Sequence, residues 1–278
     1  MTPDPQIAKL LKDIASCHSA ILPGGRLLLF LGQHHVGYVR PELAERLRAL
    51  EPMITLSSDR VIMPEGLASR LNELAVAAGV PMRQENFDVR TTPDGDVLGV
   101  LDRGALPSFG VIGTGVHLNG LVRKQDGLWL WIARRAANKK LDPGKLDHLV
   151  AGGIPAGYTP FETLLKEAAE EAGLDEELTS PARAVARFRY DMDRPEGLRR
   201  DAIYAYDLEL PDHFLPRAVD GEVESFELWP LEQVQESLLT TDRFKFNVVL
   251  VLTDLLLRHG LFNPAQAAML QTALAVPG

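Results

Sequence analysis

The stretch "AGGIPAGYTPFETLLKEAAEEAGL", residues 151–174, combines a loop, a helix start, a charged face and a helix stop. Gly152, Gly153 and Gly157 form a glycine loop whose bare backbone can approach another group closely. Thr159 and Glu162 have the spacing of a capping box, which opens a helix. Along that helix Phe161, Leu164, Leu165, Ala168, Ala169 and Ala172 supply an apolar stripe, and Gly173 supplies a left-handed stop. The opposite face carries Glu167, Glu170 and Glu171 at i, i+3 and i+4, so three carboxylates project from one turn. Like charges at that spacing repel unless a cation lies among them, and Mg²⁺ suits hard carboxylate oxygens. A glutamate-rich turn alone reads as a solvated face. The glycine loop and the capped start around it favour a metal site.

Outward from this unit, "VHLNGLVRK", the turn "QDG" and "LWLWIARRA" read as adjacent antiparallel strands. Trp129 and Trp131 share one face of the second strand, and Leu128, Leu130 and Ile132 the other. "LDHLVAGG" is a third short strand that runs into the glycine loop. Further strands are expected at "ARAVARFRYDM", "DAIYAYDLEL" and "VESFELWPL", with helices over 231–238 and 243–259.

The first hundred residues show other punctuation. Residues 4–20 read as a helix, "GGRLLLFLG" and "HHVGYV" as strands joined near Gly32, and "PELAERLRAL" as a helix with Pro41 at its first position. "DRVIMPEGLASRLNELAVAAG" repeats the strand, proline, helix order and ends at Gly79, and "FDVRTTPDGDVLGVLDR" reads as a hairpin. "GALPSFGVIGTG" has no helical or strand period, so a boundary is placed there, with 1–108 as an α+β N-terminal accessory domain and 109–278 as the second domain.

Composition fits this division. The 278 residues suffice for two cores, and 46% hydrophobic with 24% charged residues is ordinary globular material. A formal net charge of -9 argues against a nucleic-acid polymer or an anionic membrane as partner. Cys17 is the only cysteine, which excludes an intrachain disulfide and a thiolate zinc site and makes a reducing cytoplasm the expected location. The N-terminal stretch lacks the apolar core of a signal peptide, and no apolar run is long enough to span a membrane.

The unit around residues 152–174 resembles the Nudix box, the signature of hydrolases that cleave diphosphates linked to a further group. Gly152 matches its first glycine, Glu167, Glu170 and Glu171 its metal-binding glutamates, and Gly173 with Leu174 its end. Two positions depart from the pattern: Tyr158 stands at its first glutamate and Lys166 at its arginine. The flanking segments "KLDHLVAGGIPAG" and "DLELPDHFLPRAVDGEVESFEL" resemble the branch related to thiamine pyrophosphokinase-associated Nudix proteins and plant organellar Nudix hydrolases.

The resemblance implies an α/β/α sandwich with a mixed sheet, preceded by the smaller α+β domain. It implies a Mg²⁺-dependent hydrolase, with Mn²⁺ as the alternative ion, in which water attacks a phosphorus of a small diphosphate. Thiamine diphosphate or its oxidised analogues, or a nucleoside diphosphate such as 8-oxo-dGDP, are the implied substrates. Glu170 and Glu171 are expected closest to the ion, and Glu222, ahead of a strand, is the candidate extra ligand or general base. Candidate phosphate contacts are Arg134, Arg135, Lys139, Lys140, Arg187 and Arg189. His34, His35, His117 and His148 lack metal-ligand spacing and read as structural or surface residues. A module that keeps the fold but has lost chemistry through Tyr158 and Lys166 is the alternative. The N-terminal domain is left with three roles: covering the cleft, touching substrate or making a homodimer.

Overall fold

The computed structural model of the chain describes residues 4–219 and 221–275. Helix α1 (Pro5–Ser16) opens on the Asp4 carboxylate, which accepts from the Gln6 N–H. Strands β1 (Leu27–Leu31) and β2 (His34–Val39) form an antiparallel pair, and helix α2 (Pro41–Leu50) follows. Strands β3 (Thr55–Leu56) and β4 (Arg60–Met63) complete a four-stranded sheet in the order β2-β1-β4-β3. A 3₁₀ turn over Glu65–Arg70 leads into α3 (Leu71–Ala77), so the helix expected after Pro64 divides into two forms. The expected hairpin is β5 (Asn86–Val89) with β6 (Gly99–Asp102). These elements share one core that includes Leu29, Val36, Leu47, Val61, Leu67, Phe87 and Leu101.

The passage without period is ordered. Residues 106–109 form helix α4 (Leu106–Phe109), and β7 (Ile112–Lys124) begins two residues after Gly110. Strands β8 (Gly127–Arg135), β9 (Leu146–His148) and β10 (Val150–Gly153) then lead to α5 (Pro160–Ala172) and α6 (Glu176–Thr179). The chain continues through β11 (Arg183–Arg194), β12 (Gly197–Leu210), β13 (Val223–Pro230), α7 (Leu231–Thr240), α8 (Val248–Arg258) and α9 (Pro264–Leu274). The large sheet has the order β11-β12-β7-β8-β13, with β10 on β7 and β9 on β8. It is mixed: β12 runs parallel to β7, and the other pairs are antiparallel.

Strand alternation separates two cores across this sheet. Leu130 and Ile132 of β8 face a core with α7, α8 and α9, whereas Trp131 faces a core with α5. The result is an α/β/α sandwich with a mixed sheet. Helix α1 belongs to this sandwich as well. Its Ile7, Leu10 and Ile14 are buried in the core of α7 to α9, and it contacts all three helices. Sequence order placed α1 with residues 1–108; its apolar face pairs instead with helices over two hundred residues downstream.

The two parts are held together by specific contacts. Arg26 pairs with Asp193, and the Arg200 guanidinium lies 4.9 Å from the Tyr38 ring. No helix among the described residues is long and apolar enough to cross a membrane.

Leu10→Ala in α1 is expected to cost about 2–5 kcal/mol, the usual range for a fully buried leucine. Hydrogen exchange should speed up in α7 and α9 before it changes in β1 and β2; the reverse order would place α1 with the N-terminal core.

Candidate active site

Helix α5 is fixed at both ends by its own sequence. The Glu162 N–H donates to the Thr159 Oγ1 at 3.2 Å, and the Thr159 N–H donates to the Glu162 carboxylate at 2.9 Å. Gly173 ends the helix at φ +67°, a conformation that costs a residue with a Cβ. Leu164, Ala168 and Ala172 are buried; Ala169, expected in the apolar stripe, is exposed.

The glutamate face packs against the outer edge of β10. One edge of that strand is used by β7, so the Ala151 N–H on the other edge donates to the Glu171 Oε2 at 2.8 Å. Glu171 is 6% exposed. Burial pushes its carboxyl well above the ordinary carboxylate range; the Ala151 N–H opposes this, and the charges of Glu167, Asp147 and Glu222 add to it. Burial also raises Glu167, against the pull of Lys166, with Glu170 and Glu222 raising it further. A buried carboxylate with one donor and several anionic neighbours is electrostatically incomplete.

Gly152 makes this approach feasible. A Cβ there would stand 2.4 Å from the Glu167 Cδ and Oε2. Lys166, at the arginine position, donates to Glu167 at 3.1 Å and to Glu170 at 2.6 Å. The bracing survives the exchange of guanidinium for ammonium, as a single point charge shared by two carboxylates. Tyr158 is 46% exposed on the loop. Glu222, half exposed at the start of β13, pairs with Lys139. Partial burial pushes its carboxyl up, but Lys139, Arg103 and Arg135 bring it below the ordinary range.

The candidate phosphate contacts come together only in part: Lys139 and Arg135 both act on Glu222. Lys139 reaches Glu222 and Lys140 is exposed in the same loop. Arg135 donates to Asp147 at 2.9 Å and to the carbonyls of Leu141 and Asp142 at 2.9 and 3.2 Å, so it anchors the loop after β8. Arg134 is taken by Glu227 at 3.1 Å, Arg187 pairs with Asp94 and lies over Tyr204, and Arg189 is half-buried on β11. Strand periodicity put Arg187 and Arg189 on one face and could not show that Asp94, from another sheet, meets that face.

A second polar group lies nearby. The Nδ1 atoms of His117 on β7 and His148 on β9 are 2.8 Å apart, and with Asp147 they form a buried set close enough to share an ion. Sequence spacing could not reveal it, because the pair is made across strands. Asp147 already has Arg135 at 2.9 Å and Lys245 at 3.1 Å, two fixed cations that oppose a third. Burial lowers both histidines and keeps them neutral, so one Nδ1 donates to the other. Among the described residues, Lys166 is the cation that pairs with the glutamates of this face, Glu167 and Glu170. Their uncompensated charge and hard oxygens fit a divalent cation better.

The Nudix domain family model matches residues 114–249, from β7 into α8. Nudix hydrolase 24, chloroplastic, of Arabidopsis thaliana is 34% identical over 271 residues, which is 91% of this chain and 73% of that protein. The chain belongs to the Nudix hydrolase family. Nudix hydrolase 20, chloroplastic, of the same plant is 38% identical over 83% of this chain, and the chain spans 61% of that relative's length. A crystal structure from Deinococcus radiodurans is similar at 20% identity and a TM-score of 0.48, over 61% of this chain and 98% of that one. Both plant relatives are designated chloroplastic, which overturns the expectation of a cytoplasmic protein. The lone cysteine, Cys17, reports only that no disulfide is needed and does not distinguish one reducing compartment from another.

The Nudix carboxylates predict a pH-dependent stability. A carboxyl raised in the folded state contributes stability that is complete below its unfolded value of 4.5 and is lost as pH rises toward the folded value. In chelator, the Tm should therefore fall as pH rises above the ordinary carboxylate range, and Glu171→Gln should flatten that fall. Mg²⁺ should raise the Tm more at the higher pH, because proton and cation compete for the same oxygens. Differential scanning fluorimetry reads both effects; equal slopes in the two proteins would contradict the assignment.

Proposed function

We propose that this Nudix chain is a divalent-metal-dependent hydrolase of a small diphosphate, with residues 109–278, joined by helix α1, as the catalytic domain and the rest of 1–108 as its accessory part. The observation that supports this most directly is the buried, singly bonded Glu171 carboxylate beside Glu167 and Glu170 on one helix face. Glu167, Glu170 and Glu171 would hold Mg²⁺, or Mn²⁺ in its place, with Glu222 as the further oxygen donor across the cleft. Bound there, the cation supplies neutralisation of the charge that spreads over phosphoryl oxygens during attack by water.

The chain's own residues have separable tasks. The Ala151 N–H fixes one Glu171 oxygen, and the other would be the one to bind the cation. Lys166 holds Glu167 and Glu170 in rotamers suited to a shared ligand. Lys139 holds Glu222, whose charge acts on both Glu167 and Glu171. Thiamine diphosphate and its oxidised analogues, and nucleoside diphosphates including oxidised guanine forms, are the substrate classes that this reading favours.

A panel of these diphosphates with Mg²⁺, followed by phosphate and monophosphate release, tests the proposal. Glu170→Gln and Glu171→Gln should each reduce kcat/KM by about 10²-fold or more. No turnover across the panel, or turnover unchanged in both variants, would overturn it in favour of a binding module.

A further inference from the structure

The glycine loop is gripped from two sides. Gly152 meets Glu167 of the carboxylate helix, and the next residue, Gly153, meets the N-terminal part: a Cβ there would stand 2.5 Å from the Phe87 Cζ and 3.5 Å from the Arg103 Cζ. The same hairpin holds the loop further along. The Ala156 N–H donates to the Asn86 carbonyl at 2.7 Å, and the Gly157 N–H to the Asp88 carboxylate at 3.4 Å. The β5-β6 hairpin is thus built onto the loop that opens α5.

Arg103 follows β6 directly, and its guanidinium lies over the Phe87 ring at 5.7 Å. Its ion-pair partner among the described residues is Glu85, reached through Nη1 at 2.8 Å, and its side chain is 40% exposed. One end of the guanidinium is anchored, and the exposure of the side chain leaves the rest of its donor fork accessible. Its charge also acts on Glu222, together with those of Lys139 and Arg135. The other cations near the carboxylates are more fully used. Arg135 donates through three nitrogens, Lys139 is bound to Glu222, and Lys166 bridges two glutamates.

We propose that Arg103, carried by the β5-β6 hairpin outside the Nudix match, is a substrate-binding residue that takes a diphosphate oxygen pair at the mouth of the carboxylate cleft. A planar guanidinium held beside an aromatic ring by one carboxylate is pre-organised for such bidentate recognition. The accessory part then belongs to the active site. This rests on the hydrolase reading for its substrate, while the binding step can be measured without turnover.

Two readouts are needed: steady-state kinetics on the diphosphate panel, and calorimetric titration of inorganic pyrophosphate into the Mg²⁺-loaded protein. Arg103→Ala should raise KM and the pyrophosphate Kd by about tenfold or more, the loss expected for one charge-assisted contact, with kcat within about twofold. Arg103→Lys should recover part of the loss, since it restores charge without the fork. Glu85→Gln is the control. If Arg103 serves only to pair with Glu85, Glu85→Gln will reproduce the Arg103→Ala effect and the proposal fails. An unchanged KM and Kd in Arg103→Ala also overturns it, even if the wild type turns over. A wild type that hydrolyses nothing yet binds pyrophosphate through Arg103 removes the hydrolase reading and leaves the binding role standing.

Discussion

A carboxylate buried at the edge of a strand, with one backbone N–H to receive it, is the constraint around which this molecule is organised. Glu171 can occupy that place only because β10 is short and paired on one side, which leaves the Ala151 N–H free. Gly152 must be bare for Glu167 to lie alongside, and α5 must start and stop where its caps set it for the three glutamates to face the same edge. Replacing any of these supports changes the position of an anion rather than the amount of buried surface. The energetic cost of holding such an anion without a counter-ion is a cost accepted at functional sites and avoided elsewhere.

The contrast with Asp147 makes the point from within the same protein. Both carboxylates are buried, and both lie near the sheet's splayed strands. Asp147 receives Arg135, Lys245 and the His148 N–H, so its charge is matched, and its carboxyl falls well below the ordinary range although burial alone would raise it. Glu171 receives one neutral donor and is raised. The carboxylate group and its burial are shared; compensation differs. That difference separates a group that holds the fold from one suited to hold a ligand.

How much could be read from the sequence depends on the range of the determining interaction. Helix α5 was legible because its capping box, its glycine stop and its charged face are local features, and each is present in the structure. The strands β7 and β8 were legible through their alternation, which the two cores divide as expected. Residues 106–112 were not, because α4 and the start of β7 are ordered by contacts with β2 and β12 rather than by a period of their own. Helix α9 was passed over although Asn263 and Gln266 carry a capping box as clear as that of α5. The cross-strand histidine pair, the Asp94 partner of Arg187 and the position of Arg103 all depend on tertiary placement, and no spacing along the chain encodes them.

The placement of α1 bears on the order of events during synthesis. The β1 to β6 part can collapse onto its own core as soon as it has left the ribosome, but α1, made before it, has its apolar side in a core completed by α7 to α9. An amphipathic segment must therefore wait, exposed, while most of the chain is translated. Lys9 and Asp13, which pair with each other in the folded protein, keep that waiting segment charged until the last helices arrive.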